Sequence, residues 1–168
     1  MLKFIKKLFF DENFREKKVF LRSLDLFKDL SNREVGLLAQ SLHSRTYHAG
    51  EILFMEGDIG RALFILESGK VELARRDARD GQSRVIFTIE PGDFFGEMAL
   101  LEQLPRTATA TATERSKLHL LYRSKLDNLL HSHPRVGITV MTHLAQLLSS
   151  RLRRASAFSP AASGAVDG

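Results

Sequence analysis

Residues 91–109 read Pro91-Gly-Asp-Phe-Phe-Gly96-Glu97-Met98-Ala99-Leu100-Leu101-Glu-Gln-Leu-Pro105-Arg106-Thr107-Ala108-Thr109, and the chemistry of the chain concentrates there. Glycine at 96 followed by Glu-Met-Ala-Leu-Leu predicts a short helical turn opening at that glycine. The first backbone N–H groups of such a turn lack partners inside the helix. With the positive end of the helix dipole they make an anion site. Gly96 has no side chain to obstruct close approach, and Ala99 keeps the wall shallow. Arg106 falls just beyond the turn, where a guanidinium fork can hold a phosphate through paired charge-assisted hydrogen bonds. Thr107 adds a hydroxyl beside it. Glu97 is the odd member, because an ionised carboxylate only accepts hydrogen bonds and suits a sugar hydroxyl. A ligand carrying one phosphate and one ribose would use both groups.

Outward from this stretch, between Arg45 and about Leu121, the apolar runs are short and punctuated by Gly50, Gly57, Gly60, Gly69, Gly81, Gly92 and Gly96. Strands are predicted at Ile52–Phe54, Ala62–Leu66, Val71–Ala74, Val85–Ile89, Ala108–Ala112 and Leu118–Leu121. Turn residues at such near-regular spacing predict a compact all-β barrel or jelly roll rather than βαβ units.

Helices flank this region. Leu2, Ile5 and Phe9, then more loosely Phe14, Val19 and Leu21, follow a helical period over about residues 2–22. Ser31 with Glu34 three residues later reads as a capping box that opens a helix through about Leu42. After Tyr122 a short helix is predicted from Ser124 to about Leu130, and Pro134 separates it from a second. In that last helix Ile138, Met141, Leu144, Leu147 or Leu148, and Leu152 are expected to form one apolar stripe. The small, polar residues from Ala155 to Gly168 predict a disordered tail.

Phe95-Gly-Glu-Met-Ala-Leu100 followed by Pro105-Arg-Thr-Ala108 resembles the phosphate-binding cassette of cyclic nucleotide-binding domains. These are the modules of cAMP-dependent kinase regulatory subunits, cyclic-nucleotide-gated channels and the catabolite activator group. The resemblance extends through Gly50-Glu-Ile-Leu-Phe-Met-Glu-Gly57-Asp and Phe64-Ile-Leu-Glu-Ser-Gly69-Lys-Val, and spans roughly residues 24 to 154. It implies a mainly-β fold with flanking helices: a β-roll or jelly roll, N-terminal helices, a short cassette helix and C-terminal lid helices. On that basis residues 1–22 are an amphipathic helical extension, 23–154 the domain (roll about 45–121, C-terminal helices about 123–154) and 155–168 the tail. By resemblance, Glu97 takes the ribose 2′-hydroxyl, and Arg106 the cyclic phosphate with the amides around Gly96, Met98 and Ala99. Phe87 walls the base, Ala108 closes the cassette, and Arg151 or a neighbour in the last helix is the candidate lid contact. Thr107 stands where some family members bond a guanine, so cGMP is open beside the expected cAMP.

Competing readings are narrower. Arg106 could instead pair with Glu97 in an empty pocket, leaving a ligand-free adaptor of the same fold. A truncated catabolite activator-type regulator would need a DNA-reading helix-turn-helix after the long helix, and only a short tail low in bulky residues follows Arg154, so no DNA binding is expected. His131-Ser-His133 lacks further ligands at metal-site spacing, so no metal or other cofactor is expected. Hydrolysing a phosphodiester would normally need metal ligands, and no nucleophile motif occurs, so the expectation is a receptor and not an enzyme. The 168 residues contain no cysteine, which excludes disulfides and suits a reducing, cytoplasmic setting. No secretory signal is expected from residues 1–10, and no apolar run reaches membrane-spanning length. The net charge of +5 is modest and gathered near the two ends. Phe4, Phe9 and Phe10 with nearby lysines suit docking on protein better than contact with a membrane surface. With no effector signature in the chain, the expected output is a stand-alone sensor signalling to an effector protein in trans, with a homodimer through the last helix left open.

Overall fold

Ala62-Leu-Phe-Ile-Leu66 is an unbroken apolar run of strand length, the pattern of a strand covered on both faces. The computed structural model describes residues 2–102 and 104–157, those at 2–11, 99 and 155–157 by their backbone alone. In β3 (Ala62–Ser68) five successive residues are buried. Ala62, Phe64 and Leu66 face the interior of a β-roll with Tyr47, Val71, Ile89, Phe95, Ala110, Leu118 and Leu120. Leu63 and Ile65 face the other way, into a core shared with the helices. Alternation along a strand sends neighbours to opposite faces, so this one segment joins two cores.

The roll is two four-stranded antiparallel sheets. One runs β1 (His43–Tyr47), β8 (Ser116–Tyr122), β3 and β6 (Phe94–Phe95); the other runs β2 (Ile52–Phe54), β7 (Thr109–Ala112), β4 (Val71–Arg76) and β5 (Ser83–Ile89). The predicted strands are all present, most of them longer by one or more residues. Two were not foreseen. β1 begins ahead of Arg45, and β6 is only two residues long, too short for any periodic signal. Several turns use glycine in the left-handed region. Gly69 is the tightest: a Cβ there would lie 2.4 Å from the Ser116 hydroxyl, so only glycine fits.

α1 (Leu2–Ser23) and a 3-10 turn (Asp25–Phe27) lead into α2 (Asn32–Ser41). The Ser31 capping box forms as read: Glu34 N–H donates to Ser31 Oγ (3.3 Å), and Ser31 N–H donates to Glu34 Oε2 (2.7 Å). Leu21 is buried and Phe14 and Phe20 pack beside it, but Val19 faces solvent. The side chains of Leu2, Ile5 and Phe9 lie outside the described residues. α4 (Arg123–Ser132) follows β8 directly, and α5 (Pro134–Ala157) starts on its proline, where a missing N–H costs nothing. α5 continues beyond residue 154; residues 158–168, read as a tail, lie outside the described residues.

The apolar face of α5 differs from the expected stripe. Val136, Val140 and Leu144 are buried, with Met141 and Leu147 packed alongside, whereas Ile138 (58% exposed) and Leu152 (68%) are not in the core. Val136, Val140 and Leu144 form an i, i+4 row packed against α2 and α4; Ile138, two positions from Val136 and Val140, rotates out of it, and Leu152 continues the same row two turns beyond Leu144, where it is exposed. In the shared core, Leu63→Ala would cost about 2–5 kcal/mol.

Candidate functional site

A cleft of about 200 Å³ opens between α3 (Glu97–Leu101), the sheet holding β5, and α5. Gly96, Glu97, Met98, Arg106, Thr107, Ala108, Phe87 and Arg151 all line it. Ala99 belongs to α3, and its side chain lies outside the described residues. Phe54, Leu73, Ile86 and Pro105 complete the walls.

The floor is built by local necessity. β6 pairs with β3 through Phe95 and Phe64, which carries the chain to Gly96 at φ +76°. That left-handed residue starts α3, whose opening amides have no place in the helix ladder. A Cβ at Gly96 would come within 2.6 Å of Arg106 Nη1 and 3.3 Å of the Ala62 carbonyl oxygen. Glycine is therefore needed twice, for its conformation and for the guanidinium lying against it.

Arg106 is held from its backbone outward. Its N–H donates to the Asp58 carbonyl (2.8 Å) and its own carbonyl accepts from Gly57 N–H (2.9 Å). The side chain is 8% exposed. Nη1 donates to the Gly96 carbonyl (3.0 Å) and Nη2 to the Ala62 carbonyl (2.9 Å). The guanidinium carbon lies 4.1 Å from the Phe54 ring centre and 5.5 Å from that of Phe64, a cation–π arrangement. Burial pulls this group below its ordinary pKa, and the charges of Glu97 and Asp58 oppose the shift. A guanidinium has five N–H donors, so two carbonyls leave capacity for an anion. Nε is buried without a partner among the described residues.

Glu97 is 4% exposed. Its Oε1 accepts from Arg151 Nη1 at 2.5 Å, while Oε2 is buried with no partner among the described residues. The ion pair of Glu97 is thus with Arg151 and not with Arg106. Arg151 Nη2 also donates to the Phe94 carbonyl (2.7 Å), and its guanidinium lies 6.0 Å from the Phe87 ring centre. Arg151 does stand over the cleft beside the aromatic wall, but its strongest contacts go to the cassette itself. Phe87 is 51% exposed, at the mouth. The β4–β5 register shifts so that Leu73 faces Phe87 and Ala74 faces Val85, leaving Ile86 as an extra residue. This bulge brings both Ile86 and Phe87 to the cleft.

Phe54 and Phe64, the rings around Arg106, were not among the residues singled out from sequence. Phe54 sits in the Gly50–Asp58 segment that carried part of the resemblance, but no local pattern marks a ring beneath a cation. His131 and His133 are exposed, and His131 Nδ1–H donates to the Asp127 carbonyl (2.7 Å). Among the described residues no helix is long and apolar enough to cross a membrane.

Comparison with known proteins agrees with this geometry. Residues 44–133, more than half of the chain, match the family described as the cyclic nucleotide-binding domain. The chain is 37% identical over 127 residues to the cAMP-dependent protein kinase regulatory subunit of Eremothecium gossypii, covering 76% of this chain and 25% of that one. It is 38% identical over 135 residues to the Cyclic AMP receptor protein of Thermus thermophilus, covering 80% and 60%. It therefore spans between a quarter and three fifths of these relatives, which are regulators and receptors by name. A crystal structure of a cyclic nucleotide-binding domain from Methylobacillus flagellatus superposes with a TM-score of 0.76 at 30% identity, over 86% of this chain and 80% of that one. Fold, cassette and relatives agree, and the chain belongs to the cyclic nucleotide-binding domain family.

Proposed function

We propose that this chain is a receptor for a cyclic nucleotide, with cAMP preferred, and that it signals to a partner protein through its terminal helices. One observation carries this: a buried carboxylate and a buried guanidinium share one cleft, and each keeps a polar atom, Glu97 Oε2 and Arg106 Nε, without a partner among the described residues. Leaving such atoms buried costs about 1–3 kcal/mol each, which a ligand offering a hydroxyl and an anion would recover. The ribose 2′-hydroxyl donates to Glu97, and the cyclic phosphate accepts from Arg106 and the amides opening α3. The base lies against Phe87 beneath α5. The names of the curated relatives above favour cAMP, and the exposed Thr107 leaves cGMP as the weaker ligand.

The work of the site is binding, not turnover. The fork of Arg106 is fixed on two carbonyls and cannot shuttle protons, and Glu97 is ion-paired. The output runs through Arg151. A ligand hydroxyl on Glu97 changes the contact holding α5 to the cassette, and a differential contact is what a population shift requires. α5 and α1 share one core through Leu21, Val136, Val140 and Leu144, so the packing of both terminal helices responds together.

Competition binding with cAMP, cGMP, 5′-AMP and 2′-deoxy-cAMP tests this assignment. Displacement by cAMP, with the deoxy and ring-opened analogues at least about tenfold weaker, is the expected order. Equal displacement by all four would refute the roles given to Glu97 and Arg106, and no displacement by any would leave the ligand-free adaptor as the function.

A further inference from the structure

Beside the cleft, a second cavity of about 120 Å³ lies where the 3-10 turn, the Gly92–Phe94 segment and α5 converge. Three of its walls are rings. Phe27 meets Phe94 edge to face at 6.1 Å and meets His143 in the same manner at 6.1 Å. Leu26, Leu144 and Leu147 supply most of the rest. The nearby backbone groups are engaged elsewhere: Gly92 N–H donates to Leu66 O (2.8 Å), Asp93 N–H to Glu90 O (3.0 Å), and the Phe94 carbonyl accepts from Arg151. The two titratable groups are also occupied. Asp93 Oδ2 accepts from Glu90 N–H (2.9 Å), and His143 Nδ1 bonds Gln146 Oε1 (3.1 Å). A mostly apolar, partly open cavity of this size, whose polar groups are already engaged, suits an aromatic ring.

We propose that this cavity is a second ligand site, for a small neutral aromatic molecule of one or two fused rings, and that its occupant braces α5 against the roll. Neutrality follows from a lining that is mostly apolar and whose two titratable groups, Asp93 and His143, are already hydrogen-bonded to Glu90 N–H and Gln146. The ring follows from the cluster, where another edge-to-face partner completes the packing of Phe27 and Phe94. The bracing follows from two shared residues. Phe94 turns its side chain to the cavity while its carbonyl holds Arg151, and Leu147 precedes Arg151 by one helical turn. An occupant touching both fixes the segment that reaches Glu97. Only the regulatory meaning rests on the nucleotide assignment; the binding does not.

Indole is a suitable probe on the full chain, read by methyl NMR and by hydrogen exchange, with no nucleotide present. Saturable shifts of the Val140, Leu144 and Leu147 methyls are expected, together with exchange slowed at least about threefold along α5 near Arg151. Leu147→Phe fills the cavity from its partly open side and should abolish both effects. Val140→Met fills it from another wall and guards against misfolding of the first variant. The absence of saturable shifts, binding that survives both filled variants, or binding without slowed exchange would each overturn the proposal. Because nucleotide plays no part in these readouts, failure of the receptor assignment would register separately.

Discussion

Arg151 Nη1 donates to Glu97 Oε1 across 54 residues of chain, so the last helix is fastened to the carboxylate that opens the cassette helix. The pair is asymmetric, with Glu97 almost fully buried and the Arg151 side chain partly open to solvent. Removing the arginine strands a buried carboxylate, whereas removing the carboxylate releases a cation that can turn to water.

Arg151→Ala is therefore expected to destabilise the unliganded protein by about 1–2 kcal/mol, discounted from the fully buried case for the exposure of the arginine. Adding Glu97→Gln in the same chain should restore part of the loss. Urea unfolding of the two single variants and the double variant measures the coupling directly. Additive effects would mean that the contact holds nothing in place.

Gly96→Ala places a methyl group against Arg106 Nη1 and forces a left-handed conformation on alanine. The expected outcome is a loss of about 1–3 kcal/mol in stability together with a larger proportional loss of nucleotide affinity. Thermal unfolding and titration on the same sample separate the two. Unchanged affinity would show that the fork of Arg106 has no part in binding.

A polar cluster on the outer face of the β1–β8–β3 sheet sets an acid limit. His119 Nε2–H donates to Glu67 Oε2 (2.6 Å), Lys117 Nζ donates to Glu67 Oε1 (3.2 Å) and to Glu16 Oε2 of α1 (3.0 Å), and the Phe20 ring lies 5.5 Å from that of His119. Burial alone would raise the carboxyl of Glu67. The hydrogen bonds and charges of His119 and Lys117 outweigh it and hold the group below the usual carboxylate range. A depressed folded-state value means the stabilisation is complete above the unfolded pKa, near 4.3, and is lost as pH falls through the folded value. Urea midpoints between about pH 3 and pH 6 should thus fall less steeply with acid in Glu67→Gln than in the parent protein. Parallel curves would remove Glu67 from the account.

Thr107 is exposed in the cleft. Thr107→Ala should leave stability within about 0.5 kcal/mol and cAMP affinity nearly unchanged. Removing a hydroxyl that bonds guanine should weaken cGMP by about threefold or more. A matched change in both affinities would place the hydroxyl on the phosphate and not on the base.

Much of this arrangement was legible in the sequence because its signals are local. The run at Ala62–Leu66 announces a strand, Ser31 and Glu34 announce a helix start, and the cassette residues from Gly96 to Ala108 lie within one short segment. What stayed hidden depends on partners distant in sequence. The periodicity of α5 shows that it has an apolar face, but not that Val136 and Val140 rather than Ile138 occupy the groove. Nothing near Arg151 names Glu97 as its partner, and nothing near Phe54 places it under Arg106. β6 owes its two-residue existence to pairing with β3. Spacing encodes which face is apolar; packing alone decides what meets it.

Calorimetric titration of cAMP into nucleotide-free protein and into Arg106→Lys tests the central claim most directly. Lysine keeps the charge but not the fork that grips the Gly96 and Ala62 carbonyls. The account predicts saturable binding at one site with a Kd on the order of micromolar or tighter, weakened at least about a hundredfold in the variant. Well-folded, nucleotide-free protein that takes up no cAMP, or a variant that binds as tightly as its parent, would contradict it.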